Sequence, residues 1–124
     1  MANRAWATFF LAAVVLLAAC GSDLEPTRLR VANVGAVPIR DLTVMFPDEQ
    51  VGFGDVPAGA TTGYEDFRHG VYSYAAYRFE IDGALISQPV IDWVGEEPLP
   101  GEAFTYSLAL EGGRLELVGV TSDE

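Results

Sequence analysis

The chain has no lysine, one cysteine (Cys20) and one histidine (His69), and each scarcity closes off some chemistry. A single cysteine forms no intramolecular disulfide, so a folded domain must rest on packing alone. A single histidine leaves a Ser-His-Asp triad only His69 to turn on, and no G-x-S-x-G elbow supplies its serine. His69 lies between Arg68 and Gly70 in a stretch that reads as a surface loop. Zinc has too few nitrogen and sulfur ligands for its usual sites. Cationic charge is scarce as well: seven arginines stand against 18 acidic residues, for a net charge of −11. A surface of that sign repels phosphate backbones, which excludes nucleic acid as a partner. It also repels anionic headgroups, so membrane attachment cannot come from a basic patch. After Cys20 no stretch keeps an i, i+3, i+4, i+7 apolar stripe for three turns, which argues against helical architecture.

What the chain does have begins at its amino terminus. Met1 to Arg4 carries one arginine and the free amine, and Trp6 to Ala19 runs fourteen residues without a charge. Those fourteen residues would rise about 21 Å as a helix, short of the roughly 30 Å of bilayer hydrocarbon. A core helix would show one polar side, and this segment shows none. Residues 1–19 therefore read as an export signal, with the small pair Ala18-Ala19 before the cut.

Leu17-Ala18-Ala19-Cys20 resembles the lipobox of bacterial lipoproteins. The resemblance implies cleavage between Ala19 and Cys20, a diacylglyceryl thioether on the Cys20 thiol, and acylation of the new α-amine. Two or three chains at ~0.8 kcal/mol per buried CH₂ hold a protein firmly to a membrane. Gly21 stands where the inner-membrane retention signal of that family places aspartate, which favours the outer membrane in an organism with two. An ordinary secretory signal followed by a free cysteine is the alternative. All 18 acidic residues follow Cys20 against six arginines there, so the mature chain carries −12.

The remaining 105 residues suit one small domain. Residues 20–27, with Pro26, read as a lipid-anchored tether, 28–121 as the domain, and 122–124 as an acidic tail. The patterning is that of strands. Val71, Ala75, Tyr77, Phe79 and Ile81 share one face of 71–82, interrupted by Ser73, with Tyr72, Tyr74, Arg78 and Glu80 on the other. Phe104, Tyr106, Leu108 and Leu110 alternate with smaller residues, as do Leu42, Val44 and Phe46, and Leu29, Val31, Leu115 and Leu117 continue the pattern. Weaker runs occupy 51–56, 61–65 and 84–94, and a single helical turn is predicted at Tyr64–His69. Asp82-Gly83 and Gly112-Gly113 suit type I′ hairpins, because their residues tolerate positive φ. Pro89 places the 84–94 run at a sheet edge or a bulge. The expected fold is all-β, a single antiparallel β-sandwich of seven or eight strands.

Asn33-Val34-Gly35 after a strand, Ile39 to Phe46, then Val56-Pro57-Ala58-Gly59 before Thr61-Thr62 resembles bacterial immunoglobulin-like modules. Those pair an N-x-G turn with a later P-x-G turn opening the next strand. The resemblance spans roughly residues 27–66 and implies a sandwich. The cysteine pair of antibody-type domains is missing, and Trp93 falls too late for their core tryptophan.

Two sets of side chains are candidates for recognition. Tyr72, Tyr74 and Arg78, opposite the apolar face of their strand, would form an interaction surface with Trp93, since interfaces favour such residues. The alternative is that a second sheet or loop covers the tyrosines and makes them core. Asp92, Glu96, Glu97 and Glu102 gather around the 95–102 turn and are weak candidates for calcium, although no D-x-D-x-D-G loop is present. A sandwich this small offers little cleft for a glycosidase carboxylate pair. No cofactor motif is present and no cofactor is expected. The expected protein is a non-enzymatic cell-envelope lipoprotein that contacts another envelope protein or serves as a structural module. A small-ligand or calcium-binding lipoprotein using the 92–102 turn is the alternative.

Overall fold

The computed structural model describes residues 25–123, so the expected signal peptide, with Ala19 and Cys20, lies outside the described residues. Eight strands follow in order: β1 (Thr27–Asn33), β2 (Ile39–Phe46), β3 (Glu49–Val56), β4 (Glu65–Phe67), β5 (Ala76–Ile81), β6 (Ala84–Gln88), β7 (Ala103–Glu111) and β8 (Arg114–Ser122). No helix occurs among the described residues, and none is long and apolar enough to cross a membrane. The strands form two four-stranded sheets, β4-β1-β7-β8 and β3-β2-β5-β6. Leu29, Val31, Tyr106 and Leu108 from the first meet Leu42, Val44, Tyr77 and Phe79 from the second in one buried core. The protein is a β-sandwich.

Alternation builds most of this, and one irregularity completes it. Ile39 and Leu42 are both fully buried, although an odd spacing should send them to opposite faces. An extra residue in β2 resets the count: Arg40 pairs with Glu80 but Thr43 with Arg78. Asp41 absorbs the bulge at φ 50°, and its N–H donates to Asp55 Oδ1 at 2.9 Å. The hairpin turns match their chemistry, with φ of 51° and 82° at Asp82-Gly83 and 58° and 81° at Gly112-Gly113.

Pairing directions give the sandwich two distinct ends. At the base lie the start of β1, the 47–48 turn, and loops 68–75 and 89–102. At the tip lie the 34–38 and 57–60 turns and both glycine hairpins. One pairing departs from the antiparallel expectation. β1 and β7 run parallel, from Arg28 opposite Ala103 to Asn33 opposite Leu108, because β6 brings the chain back to the base and loop 89–102 crosses there to the other sheet before β7 begins.

The N-x-G and P-x-G turns meet at the tip. Asn33 is buried, and its Nδ2 donates to the Val37 and Val56 carbonyls at 2.8 and 3.0 Å while Oδ1 accepts the Gly35 N–H at 3.0 Å. Its backbone takes up the second turn, donating to Ala60 O and accepting from Gly59 N–H, both at 2.9 Å. Gly35 sits close against β7, since a Cβ there would lie 3.1 Å from Ala109 Cβ, so a larger residue would have to push that strand aside.

Several expectations are corrected. Residues 71–75 are loop and not strand, and the Val71 carbonyl accepts the Leu99 N–H of the 89–102 loop at 2.8 Å. The helical turn at Tyr64–His69 is replaced by β4, whose backbone pairs with β1 from Thr27–Phe67 to Leu29–Glu65. The 84–94 run is shorter than expected and ends at Gln88, while the edge position expected from Pro89 holds: β6 is an edge strand that stops before it. β1 starts at Thr27, inside the expected tether. Residues 122–123 are not a free tail: Ser122 pairs with Phe104, and Asp123 accepts hydrogen bonds from Tyr64 Oη (3.0 Å) and Thr105 Oγ1 (2.5 Å). The Tyr64 ring in turn lies 4.9 Å from the guanidinium carbons of both Arg28 and Arg30.

Candidate interaction surfaces

The residues expected to form one aromatic face are divided between core and base. Tyr72 is buried, its ring 5.3 Å from Phe46 and 5.4 Å from Trp93, and its carbonyl accepts the Tyr106 hydroxyl. It belongs to the core and leaves the proposed surface, because loop 68–75 folds inward over the sandwich. Arg78 stands in mid-strand, between Thr43 and Ser87 on the outer face of its sheet. Tyr74 and Trp93 do come together, stacked at 5.3 Å and 24°. The Tyr74 hydroxyl donates to the Asp92 carbonyl at 3.3 Å. It is held above the ordinary tyrosine value, first by lost hydration and then by the Glu96 and Asp92 carboxylates.

This stack anchors an apolar turn. Ile91 and Val94, on either side of Trp93, are 101% and 87% exposed. Asp92 Oδ1 accepts the Val94 N–H at 2.8 Å, and the Glu96 N–H donates to Trp93 O at 3.1 Å, which closes the turn. The loop behind it is tightly seated, since a Cβ at Gly70 would come within 2.7 Å of Pro98. Neither Ile91 nor Val94 stood out in the sequence, where they read as the tail of a strand. Their exposure follows from the strand ending at Gln88.

The acidic residues do not converge. Asp92 and Glu96 flank Tyr74, Glu97 is exposed, and Glu102 lines a polar cleft at the base with Glu25, Asp66 and Arg28. Among the described residues no three His, Cys, Asp or Glu side chains come together as a metal site needs. His69 is exposed, and its N–H and that of Arg68 donate to the Glu49 carboxylate at 2.9 and 2.8 Å. This pair of amides already holds its anion.

The tip carries a second apolar surface. Val34 and Val37 are 54% and 44% exposed, in turn positions where polar residues are usual. Val37, Pro38, Ile81 and Leu110 line a shallow groove of about 300 Å³ whose rim includes Arg40, Glu80 and Asp82. Leu85, exposed, stands opposite Glu80 across the β5–β6 pair. The sequence signal was present in the valines of the N-x-G turn, but only the fold brings them to β5 and β7.

No protein-family model matches the chain, and no curated protein matches it. An NMR structure of a protein from Eubacterium rectale is similar to it, with a TM-score of 0.51. The match covers 81% of this chain and 90% of that one at 12% identity, a likeness of fold alone.

Proposed function

We propose that this chain is a bacterial cell-envelope lipoprotein, held on a membrane by acyl groups on Cys20. It acts without catalysis, as a protein-interaction or structural module. Gly21 favours the outer membrane where there are two. The observation that carries the interaction reading is the apolar tip: Val34, Val37 and Leu85 are exposed at the end opposite the start of β1, where Val37 lines a groove. A tether joined to β1 presents that end away from the bilayer, beyond strands about 30 Å long. The scattered carboxylates of 92–102 lend the cation-binding reading no ligand set.

Two measurements test this. Cys20→Ala should abolish labelling by radioactive fatty acid and leave the precursor uncleaved. Normal processing of that variant would mean an ordinary secretory signal. Photo-crosslinking residues placed at Val37 and Leu85 in cells should yield one discrete protein adduct, and one at Ser87 should not. No adduct at either tip position overturns the interaction reading.

A further inference from the structure

The base of the sandwich is where the tether joins, and the Ile91–Val94 turn is at that same end. Only five residues advance the chain from Cys20 to Glu25, a reach of at most about 18 Å. The loop that carries the turn ends at Glu102, whose carbonyl accepts the Arg28 N–H at 2.9 Å, one residue into β1. An acylated Cys20 therefore keeps this loop within a short tether of the lipid. Ile91 and Val94 are the most exposed large apolar side chains among the described residues. They are not floppy: the turn is closed by Asp92 and Glu96, and Trp93 fastens it to Tyr74, Tyr72 and Phe46. Aliphatic side chains held outward beside a tryptophan and a tyrosine suit the headgroup–acyl boundary, where apolar bodies and polar tips are both satisfied. The carboxylates of the same turn, Asp92, Glu96 and Glu97, fix the kind of surface, because they are repelled by anionic lipid.

We infer that Ile91 and Val94 enter the headgroup boundary of a zwitterionic bilayer, a second membrane contact that stands the domain upright with its tip outward. The inference rests on the anchoring of Cys20. It explains why one end of a strongly acidic domain bears uncharged apolar side chains, and why their turn is braced from behind. With two points of attachment the domain cannot swing freely on its tether, so the groove at the tip keeps a fixed direction.

Trp93 is the only tryptophan after Cys20, which makes it a reporter for the loop. The test uses the processed full-length protein, purified from membranes and reconstituted into phosphatidylcholine vesicles with brominated acyl chains. Trp93 emission should be quenched several-fold relative to unbrominated vesicles. The quenching should largely disappear in an Ile91→Ser/Val94→Ser variant, whose thermal unfolding should match the parent because both side chains are exposed. It should also weaken in vesicles rich in phosphatidylglycerol. Mass spectrometry of the amino-terminal peptide reads the anchor separately. Acylated Cys20 with unquenched Trp93 overturns the loop contact alone, whereas an unacylated Cys20 overturns the anchor and the contact built on it. A photo-crosslinker at Val94 that captures a protein while Trp93 stays unquenched assigns the turn to a protein partner and overturns the membrane contact.

Discussion

The Gln88 side chain is hydrogen-bonded at both ends of its carboxamide to the backbone of Leu115. Nε2 donates to the Leu115 carbonyl at 2.8 Å, and the Leu115 N–H donates to Oε1 at 2.9 Å. Gln88 ends β6 and Leu115 lies in β8, each an edge strand of a different sheet. The amide thus takes the place of a strand neighbour and stitches the two sheets along one side. On the opposite side, between β3 and β4, Phe53 and Phe67 stack at 6.2 Å, and Glu49 of β3 accepts the N–H groups of Arg68 and His69 just after β4.

Replacing that amide should therefore do two things. Gln88→Leu leaves both backbone groups of Leu115 without these partners and should cost about 1–3 kcal/mol in urea unfolding. It also bares part of the β8 edge, so light scattering should show self-association that grows with protein concentration. Gln88→Glu should be no better, because a carboxylate cannot donate to the carbonyl. Parent-like stability in both variants would remove the stitch from the account.

Asn33 joins the two tip turns, with all three of its amide hydrogen bonds made inside the protein. Asn33→Asp keeps the shape but turns the donor to Val37 and Val56 into an acceptor, and buries a charge. The expected loss is about 3 kcal/mol or more by chemical denaturation, larger than that of Asn33→Ser. Since the 34–38 turn carries Val34 and Val37, the same variants should also weaken crosslinking at Val37.

The parts of the fold that were legible in the sequence are those fixed locally. Asp82-Gly83 and Gly112-Gly113 announce their hairpins because the required φ is a property of the residues themselves. The alternation of Phe104, Tyr106 and Leu108 survives because β7 is a central strand. Residues 71–75 misled because a loop pressed onto a core also buries apolar side chains, so Val71 and Ala75 imitate a strand face. Asp41 was silent, since a bulge breaks the very periodicity used to find strands.

The candidate site was legible only in part for a related reason. Sequence pattern places Tyr72 and Tyr74 on one face, but they leave the strand before β5 begins, and two residues of loop send one inward and the other against Trp93. Ile91 and Val94 gain their meaning from the course of the chain after Pro89. The tip groove depends on Val37, Ile81 and Leu110 meeting across three strands' ends, which no local pattern records.

Two buried tyrosines make a controlled comparison. The Tyr106 hydroxyl donates to Tyr72 O, whereas the buried Tyr77 hydroxyl has no hydrogen-bond partner among the described residues. Tyr77→Phe should be neutral or stabilising by up to about 1 kcal/mol, because it removes an unsatisfied group and little volume. Tyr106→Phe should cost about 1–3 kcal/mol, since the Tyr72 carbonyl loses its donor in the core. Equal losses in the two variants would mean that the Tyr77 hydroxyl has a partner after all.

The same pair makes stability fall at alkaline pH. Burial pushes both hydroxyls far above the ordinary tyrosine value, and for Tyr106 the proximity of Tyr77 adds to it. In the unfolded chain these tyrosines lose their protons near pH 10, while in the folded protein they keep them. Their contribution is therefore fully present below about pH 10 and falls as pH rises above it. Each tyrosine should remove about 1.4 kcal/mol per pH unit in that range. Unfolding free energies from urea titrations between about pH 9 and 11 should fall less in Tyr77→Phe than in the parent, by about 1.4 kcal/mol over the whole range. The sign follows from burial alone: lost hydration disfavours the charged phenolate in this core, and unfolding restores that hydration.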